Sequence, residues 1–415
     1  MSDRRSPSEM ERALLQRDEE QLATTVARET EPLRILTVMN CSRFGRSGMP
    51  TANASISRAL AALGCTVDHL YVDDYPRPVR APWLNYSLFA PLTVRLVRKL
   101  EEQQGSYDII QISGGDGYLA PLLRHDRHGR RRLLVARCHG LEHRYWQSLQ
   151  REAKAGHAHA TLRHRLYFGG LRLKQVELTI RAADLFNCHT DPDARYAIAN
   201  GWKRDDQVVI LPSGIEPDWF PSELGCEAGT KRIVFCGSWT WMKGPRILVC
   251  VFERLAARDP AVRLTVLGAG ASERTTVLAA FSPEVRWRVT VRPGMPHSEV
   301  LQEFRRHDLL LATSFFEGFG TAVVEAMAAG LPVVASAVGC APAYIDHGRN
   351  GYLAEPGDVD GLFSACVSLL SLGAPARRAL RSAAVDAVSP LTWPRVAQST
   401  AAAYAAALAN LRART

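Results

Sequence analysis

At 415 residues and 45.8 kDa the chain exceeds one ordinary core and suits two domains of about 150–200 residues each. Apolar residues at 47% and charged residues at 22% lie near the globular average, which excludes a fibrous or wholly disordered chain. The formal charge of +9 is uneven: Leu122 to Lys174 holds 13 Arg or Lys against 3 Asp or Glu, a net +10, and seven of the twelve His. That stretch reads as a solvated basic face or as a surface for anions: a membrane leaflet, a lipid-linked phosphate or an acidic glycan. Without an RNP, KH, helix-turn-helix or zinc-finger pattern, no nucleic acid partner is expected.

The first 31 residues are dominated by Ser, Pro, Arg and Glu and predict a polar N-terminal tail without the apolar core of a secretory signal. From Leu33 short β-branched runs alternate with helical ones. Strands are predicted at Arg34–Met39, Thr66–Val72, Asp108–Ile112, Leu133–Cys138, Ala183–Cys188 and Val208–Leu211. A helix is expected from Asn53 to Leu63, stopped by Gly64. The most apolar segment, Trp83 to Leu100, carries Arg95, Arg98 and Lys99, so it falls short of the roughly 18–20 uncharged residues of a bilayer span. Turn-rich sequence from Pro212 to about Gly229 separates a second series of strands at Arg232–Cys236, Arg263–Leu267, Val289–Val291, Asp308–Thr313, Leu331–Ala335 and Tyr352–Ala354. An Ala-rich helix closes the chain from Val396 to Arg412. Continuous apolar strands separated by helix-length segments predict parallel sheets covered on both faces. The expected architecture is α/β: two Rossmann-like doubly wound domains, 32–221 and 222–395, facing each other across a cleft, with a C-terminal helix over 396–415. Nine Cys stand singly (41, 65, 138, 188, 226, 236, 250, 340 and 366), a pattern of reduced thiols in a cytoplasm rather than of disulfides or a zinc site.

The densest constellation is T-S-F-F-E-G-F-G-T-A-V-V-E-A-M-A-A-G-L-P-V-V over 313–334. A strand ends near Thr313, a loop carries Glu317, Gly318, Phe319 and Gly320, and a helix begins near Thr321. Small residues at a helix N-terminus leave amides bare where a phosphate or a developing anion is favoured. Glu317 and Glu325 lie eight residues apart, up to about 12 Å if all were helical. That exceeds the roughly 5–9.5 Å of a paired-carboxylate hydrolase and suits two grips on one extended ligand. Alone, each acid reads as a loop charge or a helix-end charge; together they form a far more specific pattern.

This segment resembles the E-x7-E signature of the retaining nucleotide-sugar glycosyltransferases of family 4, which have the two-domain GT-B fold. Val209-Ile-Leu-Pro-Ser-Gly-Ile-Glu216, Cys236-Gly-Ser-Trp-Thr-Trp-Met-Lys-Gly244 and Asn350-Gly-Tyr-Leu-Ala-Glu-Pro-Gly-Asp358 are similar to the family's interdomain, diphosphate-facing and following loops. The resemblance implies a transferase moving a sugar from a nucleotide diphosphate to a glycan, a lipid-linked or a small-molecule acceptor, with retention and without metal or other cofactor. It implies Glu317 and His139 as candidate catalytic residues, Glu317 beside the transferred sugar and His139 near the reacting centre. For donor binding it implies Glu325 on the ribose, Lys243 on the diphosphate, Gly48 close to the phosphates, and Gly237, Ser238, Gly318, Phe319, Gly320 and Thr321 lining the site. Location in the cytoplasm is expected, with peripheral contact to an anionic membrane through 122–174.

Two departures leave the donor open. Ser238 stands where family members often carry Arg, for which Arg246 or Arg46 is a candidate substitute, and Ala343 stands where an acid is usual. Trp239 and Trp241 are expected to narrow the nucleotide pocket. The D-x-D strings Asp191-Pro-Asp193 and Asp358-Val-Asp360 precede helical patterns and predict helix caps rather than a metal site. Competing readings are a transferase-like binding protein recruited through its basic surface and a sugar-nucleotide epimerase.

Overall fold

The computed structural model describes residues 32–43, 48–75, 82–223 and 230–414. The expected tail over 1–31, and with it Arg46 and Cys226, lies outside them. Contacts divide the chain into two units, one containing residues up to Gln147 with 160–214 and 393 onward, the other 148–159 with 215–392. The change of unit thus falls at Gly214–Ile215 rather than near 221, and the closing helix belongs to the first unit.

The first unit is a six-stranded parallel sheet in the order β2-β1-β3-β4-β5-β6. Its strands are β1 (Arg34–Met39), β2 (Thr66–Tyr71), β3 (Ile109–Ser113), β4 (Leu133–Arg137), β5 (Leu185–Cys188) and β6 (Val208–Ile210). Every residue of β3, β4 and β5 is buried, as a sheet covered on both faces requires. Helix Gly48–Ala62 begins five residues before the apolar periodicity does. The C-terminal helix Trp393–Ala413 packs Trp393, Val396, Ala397 and Leu408 into one core with Ile56, Leu60, Ile109 and Leu133. Its Tyr404 hydroxyl donates to Gln111 Oε1 at 2.5 Å and accepts from Asn187 Nδ2 at 2.7 Å. A buried tyrosine needs such partners, and they fix the helix to the strands of this unit.

Much of the basic stretch is turned inward. Arg132 and Glu101 form an ion pair at 2.7 Å with both side chains buried. Arg172 reaches Asp116 at 2.7 Å, Arg144 reaches Asp193 at 2.7 Å and Arg131 reaches Asp184 at 2.8 Å. The net +10 is therefore not one exposed face: these guanidiniums neutralise acids that lie outside 122–174.

The second unit has the strand order β12-β11-β10-β7-β8-β9, again all parallel. Its strands are β7 (Arg232–Cys236), β8 (Arg263–Leu267), β9 (Val289–Arg292), β10 (Leu309–Ala312), β11 (Val333–Ser336) and β12 (Tyr352–Ala354). Helices Pro245–Arg258 and Val359–Leu370 bury Leu248, Val251, Phe252, Leu362 and Cys366 against Phe235, Leu264 and Val266. Helices Thr321–Ala328 and Ala374–Val388 bury Val324, Met327, Ala384 and Val388 with Val234, Leu310 and Val333. The chain runs outward from β7 through β8 to β9, then returns to β10 on the other side of β7. That reversal makes β7 and β10 the switch point, whose carboxyl ends are where a doubly wound sheet holds its ligand.

The loops leaving those two strands are stitched together. Thr313 Oγ1 donates to the carbonyls of Lys243 and Gly244 at 2.9 and 3.0 Å, and Phe315 N donates to Met242 O at 2.7 Å. Gly244 sits at φ +64°, and a Cβ there would collide with the Thr313 carbonyl. Gly244→Ala is therefore expected to destabilise the second unit by about 2–3 kcal/mol, from left-handed strain plus the clash. A thermal melt lowered by several degrees checks this, and an unchanged melt contradicts it.

Candidate functional site

At the switch point of the second unit, Lys243 Nζ meets Glu317 Oε1 at 2.6 Å, and Ser314 Oγ donates to the same oxygen at 2.7 Å. Lys243 is placed by the single turn Trp241–Lys243 after β7, and its stem lies over Gly237, whose added Cβ would touch Lys243 Cδ at 3.1 Å. Burial works against the Lys243 charge, but Glu317 outweighs it and the ammonium pKa is raised. Lysine and glutamate are thus a tight ion pair, their side chains 21% and 17% exposed.

Immediately beyond, Gly320 at φ +94° turns the chain into helix Thr321–Ala328. The first amides of a helix have no carbonyl behind them, so the chain from Thr321 onward sets a donor-rich edge four residues beyond Glu317. The Phe319 ring is buried in the core, 6.4 Å from Tyr344, and its carbonyl accepts from Cys340 N at 2.7 Å.

Glu325, one turn into the helix, accepts a hydrogen bond from His297 Nε2 at 3.0 Å. His297 opens helix His297–Arg305, and Trp219 lies against its imidazole with ring centres 4.6 Å apart. Burial alone lowers the His297 pKa, but Glu325 brings it above the ordinary value. Nearby, burial and the Glu325 charge push the Cys236 thiol up to about 12, so that sulfur is a packing atom rather than a nucleophile. His297 and Trp219 carried no signal in the sequence. Only Ser314, three residues before Glu317 in a tight loop, could have been named from spacing.

The departures also find their places. Ser238 is exposed, with its hydroxyl 3.3 Å from Thr240 Oγ1. Arg246 donates to Gly156 O at 2.8 Å and is occupied there. Trp239 leans toward the core, its ring centre 6.1 Å from Phe235 and 6.4 Å from Phe281. Asp358 caps helix Val359–Leu370 by accepting from Gly361 N at 2.9 Å. Asp191 and Asp193 lie in the first turn of Asp191–Ala199, where Asp193 pairs with Arg144.

In the first unit, Gly48 opens helix Gly48–Ala62 after β1, and His139 follows β4. His139 Nδ1 lies 3.3 Å from His189 Nε2, and His189 Nδ1 lies 2.7 Å from the Leu211 carbonyl. The second unit therefore brings together Lys243, Glu317, Gly237, Gly318, Gly320 and Thr321. It also holds Glu325, and the first unit holds Gly48 and His139. A fixed cation, a hydroxyl and bare amides at one strand switch can hold a diphosphate; a carboxylate locked beside them can face a sugar that gains positive charge.

Residues 230–372 match the family described as "Glycosyl transferases group 1". Over 257 residues the chain is 30% identical to the D-inositol 3-phosphate glycosyltransferases of Mycobacterium tuberculosis and Mycobacterium bovis. That match covers 59% of this chain, which spans about half (53%) of those relatives' length. Among solved structures, sucrose-phosphate synthase from Thermosynechococcus elongatus superposes with a TM-score of 0.72 at 19% identity, covering 91% of this chain and all of that one. Anabaena HepE in complex with UDP and glucose gives 0.63 at 19% identity, covering 90% and 100%. The second unit thus contains the stretch that matches the group 1 glycosyl transferases, and the fold is that of the GT-B transferases.

Proposed function

We propose that the protein is a retaining glycosyltransferase that moves a sugar from a nucleoside diphosphate to a hydroxyl of a glycan, a lipid-linked or a small-molecule acceptor, without a metal. The observation that carries this reading is the Lys243–Glu317–Ser314 cluster, set against the start of helix Thr321–Ala328 at the switch point of the second sheet. The donor's diphosphate lies on Lys243 and the helix amides, and its ribose hydroxyls bond to Glu325. The sugar lies beside Glu317. As the sugar–phosphate bond breaks, negative charge builds on the leaving diphosphate, where Lys243 and the amides already point. Positive charge builds on the sugar, next to the Glu317 carboxylate. Fixed charges of this kind need no reorganisation during the reaction.

The relatives support the donor class: one structure of similar fold was solved with UDP and glucose, and another with UDP-glucose. A melt-shift screen of UDP-, GDP- and ADP-sugars tests the reading. One family of donors is expected to raise the melting point and to be turned over when acceptor is supplied. No shift with any donor at millimolar concentration overturns it, and binding without turnover turns it into a binding protein.

We also propose contact with anionic membrane, restricted to a smaller surface than the whole basic stretch. The specific observation is the turn Leu162–Leu166, where Leu162 and Leu166 are 72% and 71% exposed beside Arg163 and Arg165. Exposed leucines flanked by guanidiniums suit an interface of acyl chains and anionic headgroups. Among the described residues no single helix is long and apolar enough to cross a membrane. Flotation with phosphatidylserine vesicles is expected at low salt, weakened at high salt and abolished by Leu162→Ser with Leu166→Ser. Salt-independent absence of binding contradicts it.

A further inference from the structure

Three adjacent strand ends of the first unit are tied by imidazoles. His139 follows β4, His189 follows β5 and Leu211 follows β6. The direction of each bond is forced. The Leu211 carbonyl can only accept, so the proton of that 2.7 Å contact is on His189 Nδ1. A neutral His189 then has its lone pair on Nε2, and the 3.3 Å contact requires His139 to donate from Nδ1. A neutral His139 is left with a lone pair on Nε2, an atom that is buried and has no partner among the described residues.

Both rings are kept neutral. Burial, followed by the Arg137 charge, lowers the His189 pKa to about 4. Burial, Arg137 and His189 hold His139 well below its ordinary value. Arg137 is itself buried and meets the amide oxygen of Asn53 at 3.1 Å, with no carboxylate facing it among the described residues. Its uncompensated charge is the electrostatic partner of the pair.

We propose that His189 is a positioning residue: anchored on the Leu211 carbonyl, it holds His139 as the Nδ1–H tautomer, so that His139 Nε2 receives a hydrogen bond from a substrate hydroxyl. The ligand class is a neutral sugar or polyol hydroxyl. A phosphate oxygen, which brings no proton, is turned away by the same lone pair. The role in transfer rests on the glycosyltransferase reading, whereas the tautomer does not.

The test is long-range 15N–1H correlation on histidine-labelled full chain, with His139 assigned through His139→Asn. Expected for wild type is a protonated Nδ1 and a bare Nε2 on His139 that persist through the pH range in which an ordinary histidine titrates, since burial and the Arg137 charge hold both groups below it. His189→Phe, which fills the space but cannot accept, is expected to release His139 into a mixture of tautomers. With UDP-glucose as probe, and whichever acceptor is turned over, it lowers kcat about tenfold or more, the worth of one lost hydrogen bond. The calorimetric affinity for UDP is expected to stay unchanged. His189→Gln, which can both donate to Leu211 and accept from His139, is expected to restore part of the loss, and it serves also if the Phe variant does not fold. An Nε2–H tautomer in wild type, titration of His139 near pH 6.5, or a His189→Phe variant with unaltered tautomer and kcat would overturn the proposal. Failure of wild type to bind UDP would instead remove the transferase reading and leave the tautomer result standing.

Discussion

Glu317→Gln is expected to cut sugar transfer by about a hundred- to a thousandfold, the usual loss when one fixed electrostatic group is taken from a reacting centre. At the same time it is expected to tighten binding of the free nucleoside diphosphate. The second effect follows from the ion pair. In the resting protein the Lys243 ammonium is already matched by Glu317 at 2.6 Å, so an incoming diphosphate competes with a carboxylate for the same cation and feels its repulsion. Removing one negative charge about 6 Å from a phosphate is worth up to ~3 kcal/mol at an effective dielectric of 20, and less after screening, so a gain of about three- to tenfold is expected. Glutamine keeps the hydrogen bond from Ser314 Oγ, which lies 2.7 Å from Glu317 Oε1. The fold is therefore expected to survive, with a melt within a few degrees of wild type. Calorimetry with UDP and a transfer assay on the same preparation read both effects. Retained transfer, or weaker diphosphate binding, counts against the assignment.

Lys243→Met is expected to act in the opposite sense on binding and in the same sense on turnover. The aliphatic stem that packs over Gly237 is preserved in length, but the ammonium is lost, leaving Glu317 with Ser314 and the helix amides. Nucleoside diphosphate affinity is expected to fall at least tenfold, because the remaining carboxylate then repels the ligand uncompensated. Transfer falls by about a hundredfold or more, since the leaving group loses its cation. Because Lys243 and Glu317 share one ion pair, Glu317→Gln is expected to change diphosphate affinity by a different factor in the Lys243→Met background than in wild type, a non-additivity diagnostic of direct contact. The same factor in both backgrounds would mean that the two side chains do not act on the same ligand.

These expectations depend on contacts that the sequence discloses only in part. The strands were legible because parallel strands buried on both faces leave continuous apolar runs; Arg34–Met39, Arg232–Cys236, Arg263–Leu267 and Tyr352–Ala354 have the predicted limits. The helix starting at Thr321 was legible from Gly318 and Gly320, and Asp358 from its capping position. What was hidden lies at long range. Lys243 meets Glu317 across 74 residues and His297 meets Glu325 across 28, and no periodicity carries such pairings. Charge counting failed for a related reason. The surplus in 122–174 is a composition, whereas Arg132 and Arg172 pair with Glu101 and Asp116 from elsewhere in the chain. The packing of Trp239 on Phe235 and Phe281 was hidden too, because an aromatic beside a ligand loop looks the same in sequence whichever way its ring leans. The C-terminal helix was recognised, but its membership in the first unit depends on Tyr404 reaching Gln111 and Asn187.

The most direct test of the central claim is a crystal structure with an intact nucleotide sugar. It is predicted to place an oxygen of the β-phosphate in ion-pair contact with Lys243 Nζ and in hydrogen-bond contact with the amides at Thr321, with the ribose hydroxyls on Glu325. A nucleotide bound elsewhere, with Lys243 and Glu317 still paired only to each other, would contradict it.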